Sequence, residues 1–298
     1  MPLDAVLPAF LIALVGYVAG KKLQLDSHVL SRVCLYILTP ALTFSSLSTS
    51  QVDLTTVWRL ALTTFLIPFV LIPIFLAVFR LLRWERSFSQ AMLLPTLFTN
   101  AGNYGLPVCL FAFGTQGMDL GIVFMVTQSM LIATLGVFIA ASSHMTPTRA
   151  LKQVLKMPAL HATIAAVLVK TFGISVPEVI GRPISLLAQA AVPIFLLVLG
   201  IQLINGSGKA AWKESTVAVI LRLVIAPIIV GILGKLLGLG GLAWKILVLQ
   251  AAMPPPVNAT ILSQEFNAHP EAVSRVTLAG TAVSVVSLTM WIMILRAL

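Results

Sequence analysis

Apolar runs long enough to cross a lipid bilayer follow one another along almost the whole of this 298-residue chain. A crossing helix needs about 20 residues to span a hydrocarbon core about 30 Å thick. Ten runs meet that need, at roughly 4–20, 28–48, 54–80, 88–114, 118–141, 158–174, 183–204, 212–238, 243–267 and 271–296. Lipid offers the backbone no hydrogen-bond partners, so a spanning run of this length must be helical. The expected class is therefore an all-α integral membrane protein with ten transmembrane helices. Only 9% of residues are charged and 59% are hydrophobic, too little polar material to cover a soluble domain of this size.

The formal net charge of +10 does not point to nucleic acid. A nucleic-acid surface needs its Lys and Arg gathered on one folded face, whereas here they lie in short runs between apolar segments. They carry topology instead. With the N-terminus outside, the cytoplasmic connections and helix ends hold Lys21, Lys22, Arg32, Arg80, Arg83, Arg86, Arg149, Lys152, Lys156, Lys209, Lys213 and Arg275. The opposite side holds Arg59, Lys170, Arg182, Lys235, Lys245 and Arg296, half as many, so the positive-inside rule places both termini outside. The first run is not a secretory signal, because its lysines follow the apolar stretch rather than precede it. Cys34 and Cys109 both fall inside apolar runs, which argues against a disulfide framework.

The longest polar connection divides the chain into a first five-helix unit, residues 1–141, a cytoplasmic connection, 142–157, and a second unit, 158–298. Landmarks recur between the units at offsets of 153 to 155: Pro40 with Pro193, Trp58 with Trp212, Pro73 with Pro227, and Asn103 with Asn258. An odd number of spans per unit makes the second enter the membrane in the opposite sense. The pattern is that of an inverted repeat, a common transporter plan.

The fourth and ninth runs are interrupted at corresponding points. TNAGNYGLP, residues 99–107, sets Gly102, Gly105 and Pro107 inside one, and Pro254, Pro255 and Pro256 remove three backbone donors from the other. Each run is thus expected to be two half-helices joined by extended backbone, tolerated only where protein or water satisfies the freed groups. Facing breaks would aim helix N-termini at one point and favour an anion, with the amides of Asn103 and Asn258 as further donors. The carbonyls that end the first halves could equally hold a cation.

The NAGNYGLP and PPPVNA segments, the ten spans and the division after the fifth resemble the auxin efflux carrier family in its short bacterial form. The resemblance covers essentially the whole chain. It implies the crossed-helix, inverted-repeat fold shared with bile-acid sodium symporters, and an elevator movement of a core domain (spans 3–5 and 8–10) against a scaffold (spans 1, 2, 6 and 7). It implies organic-anion substrates, indole-3-acetate in plants and malonate or malate in some bacteria, and a homodimer through the scaffold. It places crossing-point residues at Asn100, Asn103 and Pro107 and at Pro255, Pro256 and Asn258.

Several other polar residues lie within the runs. Arg222, near the centre of the eighth, is read either as an anion partner or as a structural cation paired with Glu265. Gln128 and Gln250 could complete a sodium site or simply bond between helices, and Thr43 could line the path. His28, His144, His161 and His269 sit near helix ends, and no two have the spacing of a metal pair. No phosphate-binding loop is present, and Asp4, Asp26, Asp53 and Asp119 fall at interfaces. The expected function is secondary transport of small carboxylates across the bacterial cytoplasmic membrane, with no cofactor and with sodium or proton coupling left open. A sodium-coupled symporter of bulky amphipathic anions is the alternative, and an intramembrane enzyme a remote one.

Overall fold

The computed structural model describes residues 3–141, 152, 154–205 and 212–298, so most of the expected cytoplasmic connection lies outside the described residues, His144 included. Every regular element among the described residues is helical. The first three helices are α1 (Leu3–Leu23), α2 (Ser27–Thr49) and α3 (Leu54–Leu81). The Asp26 carboxylate accepts from the His28 N–H at 2.7 Å, and that of Asp53 accepts from Thr56 N–H at 2.8 Å, which caps α2 and α3. Hydrogen bonding to Thr56 also holds the exposed Asp53 carboxyl below its ordinary pKa.

The next apolar stretch, Arg86–Ala140, is 55 residues long, far more than one crossing can use. It divides where the sequence loses helical character. α4 (Arg86–Leu97) stops as Phe98 turns extended, with φ −94° and ψ 152°. A wide turn over Ala101–Gly105 restarts the chain as α5, residues 106–113. Gly114, with φ +71°, makes the corner into α6, residues 115–140, a conformation a side chain would strain.

In the second half lie α7 (Pro158–Thr171), α8 (Glu178–Gln202), α9 (Lys213–Leu236), α10 (Gly241–Ala251), α11 (Val257–Glu265) and α12 (Pro270–Ala297). Seven stretches among the described residues are long and apolar enough to cross a membrane, which makes this a multi-pass integral membrane protein. α7, at 14 residues, is shorter than the run that suggested it, because the chain turns at Gly173 with φ +61°. α8 begins five residues earlier than hydropathy alone suggests, its first turn tied by a 2.6 Å Arg182–Glu178 ion pair.

Two of the prolines inside long helices follow wide turns. One over Cys34–Leu38 precedes Pro40 in α2, and another over Leu221–Ile225 precedes Pro227 in α9. Pro227 has no N–H to offer the Leu223 carbonyl four residues back, and the Trp291 indole of α12 donates to it at 2.8 Å.

The helices pack in two groups. α1 lies along α8, and α2 along α7 and α8. α3 to α6 and α9 to α12 pack among themselves around buried Phe75, Phe79, Met92, Phe124, Leu247 and Ile292. Large apolar side chains such as Leu14, Phe69, Leu186 and Val286 point outward, as expected of a surface bathed in lipid.

Small residues let α1 and α8 touch backbone to backbone. A Cβ on Gly200 would stand 1.8 Å from the Ala13 carbonyl oxygen, and one on Gly16 would stand 2.2 Å from that of Leu197. Gly200→Ala should therefore force the helices apart and cost about 1–3 kcal/mol. A lowered thermal midpoint in detergent would show it, and a midpoint equal to wild type would show that this contact carries no weight.

Candidate functional site

The two interruptions meet. The Asn100 N–H donates to the Pro254 carbonyl at 2.8 Å, so the backbone of one break partners the backbone of the other. Among the three prolines, Pro254 supplies this contact, Pro255 packs on Gly280, and Pro256 takes the extended conformation that opens α11. A Cβ on Gly280 would lie 2.6 Å from Pro255 Cδ, which explains the small residue there.

Several other backbone groups of the breaks are met by side chains. Gln128 of α6 brackets Thr99: its amide nitrogen donates to the Thr99 carbonyl at 2.8 Å, and its oxygen accepts from the Thr99 N–H at 3.1 Å and hydroxyl at 2.9 Å. Gln250 of α10, fully buried, donates toward the Ala101 carbonyl at 3.4 Å. The Gly105 N–H closes on the Asn100 carbonyl at 2.9 Å. Gln250 packs so closely on Gly105 that an added Cβ would come within 2.2 Å of its amide oxygen.

Arg222, only 1% exposed, completes the set. It donates to the Thr96 and Leu97 carbonyls at 2.9 and 3.0 Å and also to that of Ala251. Glu265 is exposed at the end of α11 and makes no ion pair with it, so the expected pairing is corrected. A cluster of helix-end carbonyls offers the several donors of a guanidinium more acceptors than a single carboxylate could.

Beside the breaks lies a cavity of about 300 Å3. Asn100, Gly102 and Asn103 line it from the first break and Pro256 and Asn258 from the second, with Gln128 and Ser129 of α6. Its other wall is α2, through His28, Arg32, Tyr36 and Thr39, with Gln202 of α8. The Asn103 and Asn258 side-chain amides make no hydrogen bond to the described residues, in contrast to the two glutamines. The first turn of α11, where Asn258 sits, brings free N–H groups to the same wall.

Six of the twelve residues singled out from the sequence thus line this cavity: Asn100, Gly102, Asn103, Gln128, Pro256 and Asn258. Gly105, Pro107, Pro255, Gln250 and Arg222 stand behind it, and Thr43 is fully buried in α2 one turn beyond Thr39. Sequence reasoning passed over His28, Arg32 and Gln202. Positions 28, 32, 36 and 39 form a polar stripe at helical spacing within an apolar run, and that signal could have found three of the wall residues.

A second cavity, about 780 Å3, lies at the other ends of the same two helices, lined by Ser45 and Thr49 of α2, Gln51 just beyond it and Gln189 of α8. Asp119 of α6 also reaches it. Asp119, near the start of α6, is 9% exposed, and its carboxylate accepts from the Ser46 hydroxyl of α2.

Gln128→Leu would leave both the N–H and the carbonyl of Thr99 buried without partners. At about 1–3 kcal/mol for each orphaned group, the loss should be roughly 2–6 kcal/mol. Chemical or thermal denaturation in detergent measures it, and a variant as stable as wild type would mean that water replaces the glutamine.

Comparison with known proteins agrees with this architecture. The family described as membrane transport protein matches residues 2–149 and again 144–292. An uncharacterized transporter of Methanothermobacter thermautotrophicus is 26% identical over 307 residues, covering 98% of both chains. A protein of Rhizobium meliloti named "Putative malonate transporter" is 24% identical over 98% of this chain and 95% of its own. Auxin efflux carrier component 8 of Arabidopsis thaliana is 25% identical over 142 residues, 46% of this chain and 39% of its own. With matches running the length of the chain through both helix breaks, this protein belongs to the membrane transport protein family, that of the auxin efflux carriers.

Proposed function

We propose that this transporter is a secondary carrier of small organic anions, with carboxylates as its substrates. The observation that carries the reading is the pair of unpartnered amides, Asn103 and Asn258, facing one cavity across two helix breaks. Asn103 is half-buried and Asn258 exposed, so both amides are open to a ligand that enters the cavity. The chemistry of the wall favours an anion: free N–H groups at the start of α11, and the cationic Arg32 from α2. No carboxylate side chain lines this cavity. At about 300 Å3 it has room for a mono- or dicarboxylate of a few carbons. The Rhizobium relative's name, which specifies malonate, supports the same class.

The mechanism we propose is alternating access by an elevator movement, in which α3 to α6 and α9 to α12 slide against a scaffold of α1, α2, α7 and α8. Two cavities at opposite ends of α2 and α8 are what such a path requires, and the Ser46–Asp119 hydrogen bond joins the two groups at the end away from the breaks. Landmarks that recur between the two halves at offsets of 153 to 155 support the inverted repeat. In the orientation with both termini outside, in a bacterial cytoplasmic membrane, the cavity at the breaks opens toward the cytoplasm beside Lys21 and Lys22.

A ligand at about 100 times its dissociation constant stabilises the folded state by roughly 2.7 kcal/mol. Purified protein in detergent, heated against a panel of mono- and dicarboxylates, should show such a shift for at least one acid. Asn103→Leu should abolish it while leaving the unliganded midpoint within about 1 kcal/mol, because the wild-type amide has no protein partner to lose. A shift that persists in the variant would move the anion away from the breaks. A shift from a neutral solute alone would reject the carboxylate reading.

A further inference from the structure

In carriers built on broken helices, the C-terminal carbonyls of the half-helices are the groups that hold a coupling cation. α4 ends at Thr96 and Leu97 and α10 at Ala251, and all three carbonyls accept from one guanidinium, that of Arg222. Three oxygens from two different helices thus converge on a positive charge supplied by a third, α9. No carboxylate among the described residues pairs with it: Asp119 is engaged by Ser46, and Glu265 is exposed on α11.

Neither of the two glutamine oxygens near these carbonyls completes a metal site. Gln128 directs its oxygen to Thr99. The Gln250 oxygen has no donor, but it is packed against the Gly105 backbone and is a single ligand, where a hard cation needs several.

We infer that Arg222 is the resident cation of this site. It occupies the carbonyl ends that would otherwise take a coupling ion, so the protein holds and carries its anion without sodium. Its charge, which no acid balances, offsets part of the charge of the bound anion. Arg222 is on this view a positioning residue that acts through the two breaks and does not touch the substrate. The inference rests on the carboxylate-carrier reading of the same site.

The test begins with wild-type protein and needs no ligand. Thermal midpoints in sodium, potassium and choline chlorides of equal ionic strength should coincide, and a sodium-specific rise would overturn the inference. In proteoliposomes, the initial rate of carboxylate uptake should agree within about two-fold among the three salts. Uptake stimulated ten-fold or more by sodium would overturn the inference and leave the carrier reading standing. Absence of uptake of any acid in any salt would overturn the carrier reading, and the ligand-free midpoints would still judge the cation.

The variant arm asks whether the space is a cation site. Arg222→Ala should lose stability and recover part of it with millimolar guanidinium, an ion that should not stabilise wild type at that concentration. Arg222→Lys, which keeps the charge with fewer directed donors, should fold if the alanine variant does not, and should remain indifferent to sodium. Sodium-dependent stability or uptake in Arg222→Lys would overturn the inference, as would an alanine variant that guanidinium does not rescue.

Discussion

The structure depends on how it satisfies backbone groups that two helices abandon in the middle of an apolar protein. An unpaired N–H or carbonyl in hydrocarbon costs several kcal/mol, so two breaks at once would be prohibitive without dedicated partners. The partners are specific. Backbone meets backbone between Asn100 and Pro254, an amide brackets Thr99, and a guanidinium gathers the carbonyls of Thr96, Leu97 and Ala251. On the side of the cavity the Asn103 and Asn258 amides have no partner among the described residues. Behind the breaks only single atoms, Arg222 Nε and the Gln250 amide oxygen, are left over from side chains that are otherwise engaged.

Much of this was legible in the chain. Three successive prolines exclude a continuous helix, and the Gly102, Gly105 and Pro107 spacing marks the corresponding break, because proline and glycine act through the backbone of their own segment. The positions of α1 to α3 and α12 followed from apolar length alone, which lipid enforces. Other features were out of reach for a physical reason. The partners of Arg222 are carbonyls, which every residue possesses, so composition carries no trace of them. A search for an acid led to Glu265, which lies elsewhere. Asp119 stands near a helix start, as its place between two apolar runs suggests, but its Ser46 partner lies 73 residues away and leaves no local trace. Arg32 read as a topology charge, and it is also part of the cavity wall.

Close approach between helices follows the same economy. At Gly16, Gly200 and Gly280 the chain gives up side chains so that a carbonyl or a proline ring can stand against bare backbone. Gly16 and Gly200 join α1 to α8, whereas Gly280 sets α12 against the second break. The α1 and α8 pair is thereby packed backbone against backbone. The breaks are instead held by directed side-chain hydrogen bonds, which fix the geometry around the cavity.

Charge is the last constraint. A group of helices that moves across a membrane potential with an unbalanced charge does work of about 2.3 kcal/mol per charge per 100 mV, if the charge crosses the whole field. The breaks of this protein carry Arg222 and no acid, so the empty site is positive, and a bound monoanion makes it close to neutral. Under the proposed movement the loaded site then crosses with little work against the field, and the empty site bears the larger share. A site built this way couples movement to occupancy through charge alone. It does so with one residue fixed in the chain, where a sodium site would need an ion recruited at every cycle.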